Sequence, residues 1–205
     1  MDAIFEATIQ ILLTEGLQRL TTIKVAERAG ASVGTLYQYY PHKQALLFAV
    51  LRRHLMHVTE AVEKAAASVH HAPLATMVSA VVAAVVQALT ERIDEARALY
   101  VVGVEFQKRV EVQKRKLVRE NEKRSRAALT AMLATATDAR FEDLATVSFM
   151  FTAAMVGPTR AMLEGGVPQK MARGLRSQLE SLCLGYLERE AQPRSTLTPT
   201  PRGAG

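Results

Sequence analysis

A short segment near the N-terminus constrains the fold most, because its pattern predicts two short helices joined by a tight turn. Residues 23–29 predict a helix with Thr21 as its N-cap, since a threonine side chain accepts from the first free backbone N–H groups. Gly30 ends that helix, because a helix C-terminus favours a residue that tolerates positive φ. Ser32 is a suitable N-cap for a second helix that runs to about residue 40, and Pro41 favours the start of another.

The second of these helices carries more hydroxyl, amide and aromatic groups than a buried helix needs. Residues 35–40 contain three tyrosines and one glutamine, whereas a protein core favours apolar side chains. The small Ala26 lets the two helices approach closely, and Leu36 supplies a large apolar side chain to pack between them. A small residue, a turn glycine and a core leucine in this order are typical of a helix-turn-helix. The segment therefore predicts a helix whose exposed face contacts DNA.

Residues 21–46, TTIKVAERAGASVGTLYQYYPHKQAL, resemble the DNA-binding domain of TetR/AcrR-type transcriptional regulators. The resemblance implies an all-helical homodimer with an N-terminal three-helix DNA-binding domain. It also implies a larger C-terminal domain that pairs the subunits and binds an unknown small-molecule effector. The expected function is that of a sequence-specific regulator, most often a repressor, that binds a near-palindromic double-stranded DNA operator and is released by its ligand.

The side chains expected to read bases lie at the start and on the exposed face of the second helix of the motif. Gln38 can bond adenine through both amide atoms, and Val33 can pack on a thymine methyl group. Gly34 lets the backbone approach the DNA closely. Ser32 and Thr35 can reach bases or phosphates.

Phosphate contacts complete the expected interface, and they fall to Thr21, Thr22, Tyr37, Tyr39 and Lys43. The resemblance implies a phosphate-contacting tyrosine at Tyr37. Tyr40 is expected to pack in the core between the first and fourth helices. Related regulators usually carry a basic arm ahead of the first helix, where this chain has a single residue. Either the arm is absent or the start is truncated.

Helix-forming residues dominate the rest of the chain, and no segment alternates as a strand would. The pattern predicts an all-α fold of about nine helices, at about 2–15, 23–29, 32–40, 43–67, 74–90, 94–103, 105–135, 141–164 and 169–190. The first helix is expected to bury Ile4, Phe5, Ile9, Leu12 and Leu13. We expect a DNA-binding domain over 1–48, an effector-binding and dimerisation domain over 49–190, and a disordered tail over 191–205.

The two C-terminal helices, at about 141–164 and 169–190, predict the homodimer interface. Apolar side chains surround most of the circumference of the first, and a helix that is apolar on more than one face must be buried on more than one side. A four-helix bundle built from two subunits satisfies both faces. The alternative is that both helices form the internal core of a monomer.

The positive charge of the chain does not lie on the helix-turn-helix. Residues 1–48 contain four basic and four acidic residues, whereas residues 107–126 contain nine basic and three acidic ones. The excess in the second segment equals the formal net charge of +6. It favours the solvated face of a long helix with pairs such as Glu120–Arg124, and a second nucleic-acid or anionic-ligand surface is the alternative.

The effector site is expected between the helices of the C-terminal domain. Its candidate residues are histidines and bulky or acidic side chains at helical spacing, namely His54, His57, Met77, Tyr100, Glu105, Phe106, Phe151 and Met155. Methionines at such spacing also occur in plain cores. His54 and His57, with Glu60 on the same face, could instead hold a metal, but no further Cys or His completes a shell. We predict neither a metal nor another cofactor.

The sequence favours a regulator over two other classes of protein. It contains no phosphate-binding glycine loop, nucleophile elbow or zinc-protease pattern, so we predict no enzyme, and an enzyme on a helical scaffold is the first alternative. A helical adaptor that has lost DNA binding is the second. The single cysteine, Cys183, fits a reducing cytoplasm. The apolar run at residues 77–89 is too short to span a membrane, so no membrane partner is expected.

Overall fold

The computed structural model describes residues 1–105, 111–163 and 169–193, with side chains for 1–99, 112–162 and 173–192. Within these residues the chain forms nine α-helices: α1 (Asp2–Glu15), α2 (Thr22–Ala29), α3 (Val33–Tyr39), α4 (Lys43–Ser68), α5 (Leu74–Glu91), α6 (Ile93–Glu105), α7 (Glu111–Leu133), α8 (Leu144–Leu163) and α9 (Gln169–Glu190). A 3-10 turn, Leu17–Arg19, follows α1. The all-α fold class is confirmed.

Three predicted segments differ from the structure. Helix α6 extends to Glu105, past its predicted end at about 103 and onto the first residue assigned to the next helix, which is described from Glu111 to Leu133, and residues 106–110 lie outside the described part. The helix expected from about 141 begins at Leu144, because Asp143 Oδ1 accepts from the backbone N–H of Thr146 at 2.9 Å.

The third difference is at the start of the tail that was expected to be disordered. Strand β2 (Gln192–Pro193) pairs antiparallel with β1 (Ala139–Arg140), with Ala139 opposite Pro193. This pairing satisfies backbone polar groups that a free tail would leave to water. Residues 194–205 lie outside the described part.

The buried face of α1 is close to the predicted stripe but not identical to it. Phe5, Ile9 and Leu12 are buried, whereas Leu13 is 45 % exposed. Leu13 lies about 100° around the helix from Leu12, which turns it towards solvent. Thr8 takes a core position instead, because its hydroxyl donates to the carbonyl of Ile4 at 2.7 Å and so carries no unpaired polar group into the core.

Buried apolar side chains form two separate cores. The N-terminal core is built by α1 to α4 and by one turn of α6, and includes Phe5, Ile11, Leu20, Leu36, Leu46, Leu47, Val50, Ala98 and Leu99. The C-terminal core is built by α4, α5, α7, α8 and α9, and includes Val62, Met77, Val81, Leu129, Met132, Phe151, Met155, Leu179 and Leu187. The first half of α4 therefore belongs to one core and its second half to the other. A domain boundary at residue 48 stays a prediction. Residues after position 48, on α4 and α6, also contribute side chains to the N-terminal core.

Helix α5 explains the most apolar stretch of the sequence. By length and composition alone it would suffice for a membrane span, and it is longer than the run at residues 77–89. However, its side chains Met77, Val78 and Val81 are buried against neighbouring helices in the C-terminal core. Its apolarity is therefore that of a core helix.

A buried polar contact fixes how α7 lies along α4. Thr59 Oγ1 of α4 donates to Asn121 Oδ1 of α7 at 2.9 Å, and Asn121 Nδ2 donates to the carbonyl of Leu117 at 2.9 Å. One turn further along, Arg124 bonds Glu63 of α4 through two nitrogens, at 2.7 and 3.0 Å. The predicted Glu120–Arg124 pair is therefore wrong, because the neighbouring helix offers Arg124 a two-point carboxylate partner.

Replacing Thr59 with valine is expected to destabilise the protein by about 1–3 kcal/mol, because Asn121 Oδ1 then stays buried without a donor. The free energy of unfolding from urea titration measures this. The matched control is Thr90→Val, where the hydroxyl is exposed and bonds only carbonyls of its own helix. Equal effects of the two changes would contradict a specific role for the Thr59 contact.

Candidate nucleic-acid interface and the α1–α4–α6 junction

Local capping builds the helix-turn-helix as predicted. Thr21 Oγ1 accepts from the backbone N–H of Lys24 at 3.2 Å, and Ser32 Oγ accepts from that of Thr35 at 3.5 Å. Between them Gly30 has φ 63° and ψ 28°, the left-handed conformation that ends α2. These three residues fix where α2 ends and where α3 begins.

Packing of α3 against α2 leaves the polar face of α3 outward. Leu36 is 1 % exposed and Ala26 is fully buried, so these two residues hold the helices together as predicted. On the opposite side Tyr37 is 43 % and Tyr39 63 % exposed, and Gln38 is exposed between them. The described α3 therefore presents two aromatic rings and one amide to solvent.

Most of the predicted DNA-contacting residues are exposed in the structure, namely Thr21, Ser32, Gly34, Thr35, Tyr37, Gln38 and Tyr39. Three are not free. The side chain of Thr22 is buried, so only its backbone amide remains for a phosphate. Val33 is half-buried against the N-terminal core. Lys43 is half-buried and donates to the carbonyl of Leu17 at 3.3 Å, which uses one of its three donors.

Tyr40 is buried in the N-terminal core, and its core position was predicted. Its ring lies 6.1 Å from that of Phe5, centroid to centroid, in a tilted arrangement. Burial raises the pKa of the Tyr40 hydroxyl, because the charged form loses solvation. The ring therefore contributes packing area between α1 and the end of α3.

Acidic side chains neutralise much of the positive charge beside the motif. Glu15 Oε2 lies 2.7 Å from Lys24 Nζ, and Glu15 Oε1 lies 3.5 Å from Arg28 Nη2. The hydrogen bond from Lys24 lowers the pKa of Glu15, with the charges of Lys24, Arg28 and Arg19 acting in the same direction. Two basic residues of α2 are thus paired with the end of α1.

A buried carboxylate joins α1, α4 and α6. Glu95, in the first turn of α6, is 3 % exposed, and its Oε2 accepts from Arg53 at 2.7 Å and from Arg92 at 3.1 Å. The Arg53 guanidinium also lies 3.3 Å from Asp2 Oδ1 and 3.6 Å from Glu6 Oε1 on α1. Arg53, midway along α4, therefore connects the first helix of the N-terminal core to α6. We call these residues, with His54 and His57, the junction.

The two histidines of the junction face carboxylates without reaching hydrogen-bond distance. His54 Nδ1 lies 3.9 Å from Glu95 Oε1, and His57 Nε2 lies 3.7 Å from Glu91 Oε2. Burial lowers the pKa of His54, the charge of Glu95 opposes this, and the nearby positive groups reinforce it. His54 is therefore uncharged at neutral pH. Arg53 Nε, His54 Nδ1, His57 Nε2 and Glu95 Oε1 are buried without a hydrogen-bond partner in the described part of the chain.

Three open cavities surround the junction, with volumes of about 490, 450 and 320 Å³, and His57 lines all of them. The largest, which we call the junction cavity, lies between α1, α4 and the α5–α6 corner. Its walls are formed by Glu6, Ile9, His57, Glu91, Arg92, Ile93, Asp94 and Glu95. This size falls within the range of small-molecule sites.

The structure separates the predicted effector residues into three groups. His54 and His57 lie at the junction. Met77, Phe151 and Met155 are buried in the C-terminal core and line none of the three cavities. The side chains of Tyr100 and Glu105, and the whole of Phe106, lie outside the described residues. An effector site in the C-terminal interior stays a prediction.

No metal site emerges from the histidines of α4. Among the residues that the structure describes, no group of three or more His, Cys, Asp or Glu side chains is arranged to hold a metal ion. His54 is buried, whereas Glu60 of the proposed trio is exposed. Cys183 is buried among leucines, and burial raises the pKa of its thiol to about 11.

Arg53, Arg92 and Glu95 of the junction were not predicted from the sequence. One signal was available for the first of these, since Arg53 continues the buried stripe of Leu46 and Val50 at helical spacing. A charged residue on a core-facing stripe indicates a buried partner. The partner itself, on α6, has no such mark in the sequence.

Acidification is expected to destabilise the protein through His54. Its folded-state pKa is lowered, so the unfolded chain binds the proton more tightly and stability is lost as pH falls below the ordinary histidine pKa of about 6.5. Thermal unfolding between pH 5.5 and pH 8 measures the slope. His54→Asn should flatten it, whereas His70→Asn, which removes an exposed imidazole, should not. A wild-type slope in the His54→Asn protein would contradict this assignment.

Two family models match the chain. Residues 4–50 match "Bacterial regulatory proteins, tetR family", and residues 73–187 match "Tetracyclin repressor-like, C-terminal domain". An HTH-type transcriptional regulator of Haemophilus influenzae is 39 % identical over 46 residues, which are 22 % of this chain and 25 % of that protein. The repressor KstR of Mycolicibacterium smegmatis is 38 % identical over 63 residues, 31 % of each chain. These matches span about a quarter to a third of the relatives' lengths.

Solved structures share the fold over nearly the whole chain. A protein classified as a TetR-family regulator from Mesorhizobium loti superposes with a TM-score of 0.74 at 15 % identity, covering 93 % of this chain and 96 % of that one. The fatty acid degradation regulator FadR of Bacillus halodurans gives 0.66 at 16 % identity, covering 90 % and 94 %. The SmeT–triclosan complex gives 0.65 at 17 % identity, covering 98 % of each chain. The C-terminal family match alone covers more than half of the sequence, and this chain therefore belongs to the TetR family of DNA-binding transcriptional regulators.

Proposed function

We propose that this regulator is a repressor that binds a near-palindromic operator as a homodimer and leaves it when a small molecule binds. The observation that carries the proposal is the exposed polar face of α3, held outward by the burial of Leu36. KstR, a relative over part of the chain, is named a repressor. Binding of operator DNA would place the protein in the cytoplasm, and the proposal assigns it no catalytic role.

The DNA contacts divide between base reading and positioning. Gln38 and Thr35 lie exposed on α3, where side chains of a recognition helix meet base edges in the major groove. Tyr37 and Tyr39 are exposed on α3, Thr21 is exposed at the start of α2, and all three bind phosphates. Val33 and Thr22 contribute less than their sequence positions predict, because their side chains pack inward.

An apolar surface on α8 and α9 supports pairing of two subunits. Phe149, Met150 and Val156 of α8 are 43–52 % exposed, and Leu182 of α9 is 52 % exposed. Phe149 and Val156 lie seven residues apart and so on one side of α8. Solvent-exposed apolar side chains of this size on adjacent helices favour burial against a symmetric copy. Two recognition helices then meet successive major grooves roughly 34–36 Å apart.

Release of DNA requires that ligand binding change the position of α4. This helix packs in both cores, so any shift of its second half is transmitted to the N-terminal core. A ligand that prefers the shifted state by a few kcal/mol suffices to empty the operator. The SmeT structure is named as a triclosan complex, which supports a small-molecule effector for this fold.

A helical adaptor that does not bind DNA is the second candidate. It is favoured by Glu15, which neutralises Lys24 and Arg28 beside the motif. Salt separates the two: an operator complex that neutralises several phosphates weakens by orders of magnitude between about 50 and 200 mM salt. An adaptor contact through the apolar surface of α8 and α9 lacks that dependence.

Selection of random-sequence DNA by the purified protein is expected to recover a two-fold symmetric site. Gln38→Ala should then lose discrimination at one position of each half-site, worth about 1–3 kcal/mol, because a bidentate base contact is removed. Gln10→Ala, which removes an exposed amide from α1, is the control. Recovery of no site by folded protein would favour the adaptor, and unchanged discrimination in Gln38→Ala would remove Gln38 from the interface.

Gly34→Ala separates DNA approach from folding. A Cβ at this position meets only Ser32 Oγ, at 3.8 Å, so the free protein has room for it. Alanine should keep or raise the thermal stability, since glycine in a helix costs about 0.5–1 kcal/mol relative to alanine. Affinity for the selected operator should fall if the backbone of α3 approaches the DNA closely here. Unchanged affinity would show that Gly34 is not at the contact.

A further inference from the structure

The outer face of α7 carries a row of basic side chains. Arg115, Lys116, Arg119 and Lys123 are all exposed, and at about 100° per residue they fall within an arc of roughly 100° around the helix. This arc lies opposite Asn121, which is buried against α4. We call these four residues the basic face of α7.

Neighbouring carboxylates neutralise little of the basic face. Glu120 lies at one edge of it, 3.9 Å from Lys116 Nζ, and Glu122 is exposed at the other edge. Within the described part of the chain, Arg119 and Lys123 have no ion-pair partner. Because an ion pair between exposed side chains is weak, the basic face remains a compact patch of positive charge.

We propose that the basic face of α7 is a second DNA-binding surface, which contacts the phosphate backbone of duplex DNA independently of base sequence. Lysine and arginine side chains bind phosphates through charge and N–H donors, and the release of condensed counterions favours such contacts at low salt. From Arg115 to Lys123 the face extends about 12 Å, a length over which a duplex carries about seven negative charges. The duplex thus offers a phosphate to each of the four bases.

Helix α7 begins at the end of the C-terminal domain that is nearest the helix-turn-helix. It runs parallel to α4, because the contacts Thr59–Asn121 and Glu63–Arg124 follow the same order along both helices. The same offset places the start of the basic face about ten residues, or about 15 Å, along α4 from its first turn, which follows α3 directly. The Debye length is about 10 Å at 0.1 M salt, so charge on α7 acts on DNA close to α3.

Duplex DNA fits the basic face better than a membrane or a second copy of this chain does. A membrane-binding amphipathic helix inserts its apolar side into the lipid, whereas Leu129 and Met132 on the apolar side of α7 are buried in the C-terminal core. Pairing of two basic faces across a two-fold axis would bring like charges together. DNA is also the anionic partner of this family of regulators.

The helix-turn-helix gives a reason for a second basic surface. Residues 1–48 contain four basic and four acidic residues, and Glu15 pairs with Lys24 and Arg28 beside the motif. Positive charge on α7 supplies the sequence-independent attraction that the motif lacks. It should raise the affinity for every duplex and leave the base discrimination by α3 unchanged, and it does not depend on release by a ligand.

Binding of a duplex of scrambled sequence to the full-length protein tests the basic face. Fluorescence anisotropy of the labelled duplex gives the affinity at several salt concentrations between about 50 and 200 mM, and phosphatidylserine vesicles serve as a second anionic probe. The variant is Arg119→Gln/Lys123→Gln. The control is Arg140→Gln/Arg189→Gln, which removes the same charge from exposed positions on β1 and α9. Circular dichroism checks that both fold.

We expect the wild type and the control to bind the scrambled duplex alike, and the α7 variant to bind it on the order of tenfold more weakly at about 50 mM salt. Each lost phosphate contact removes about 0.9 from the slope of log affinity against log salt concentration. The slope of the variant should therefore be smaller by about 2, and its difference from the wild type should fade towards about 200 mM salt.

Equal losses in the variant and the control, an unchanged salt slope in the variant, or absence of duplex binding by the wild type overturns the second surface. Vesicle binding that equals DNA binding and is lost in the same variant overturns the choice of DNA. Operator selection is carried out separately. A recovered site whose discrimination survives in the α7 variant supports both proposals, whereas recovery of no site refutes the proposed repressor and leaves the salt slope on the scrambled duplex to decide the basic face.

Discussion

The contact between Arg53 and Glu95 is the constraint on which the arrangement of the two cores depends. The fully buried apolar side chains of α4 end at Val50 in the N-terminal core and resume at Val62 in the C-terminal core, with Leu51 and Val58 partly buried between them. Ala98 and Leu99 of α6 pack in the N-terminal core, and the Arg53–Glu95 pair adds a directional contact between α4 and α6 to this apolar packing. A buried ion pair contributes little net stability over an apolar contact, but loss of one partner leaves an uncompensated buried charge at a cost of about 3–5 kcal/mol. The junction therefore contributes more to selecting one position of α6 against α4 than to the net stability of the fold.

Local rules predict the helix-turn-helix because its determinants lie within a few residues of each other. Thr21 and Ser32 cap helices through atoms three residues away, and Gly30 takes a backbone conformation that its own chemistry permits. The same rules fail at Thr22, whose side chain is buried rather than free for DNA. They also fail at Glu95, which meets Arg53 across 42 residues of sequence. The sequence could not predict which helices contact each other, and the junction is formed mainly by contacts between different helices.

The C-terminal helices show the same division between local pattern and tertiary contact. The apolar circumference of α8 predicted burial on two sides, and the structure shows both a buried face with Phe151 and an exposed one with Phe149. In α7 the local spacing favoured a Glu120–Arg124 pair, yet Arg124 bonds Glu63 of α4. Glu63 and Glu120 compete for the Arg124 guanidinium. Glu63 wins because Arg124 bonds both of its carboxylate oxygens, so less side-chain entropy is lost per contact.

Weak charge at the DNA-contacting surface and a polar junction have a common consequence for regulation. Since Glu15 pairs with Lys24 and Arg28, these bases contribute less to sequence-independent phosphate attraction than unpaired bases would. In the operator complex that we propose, the affinity of the motif then rests on a few directional contacts from α3, which require both recognition helices at the right spacing. Under the same proposal, a free-energy change at the junction of the size of one or two charge-assisted hydrogen bonds disturbs that spacing. The proposed bound and released states then differ without a large conformational change.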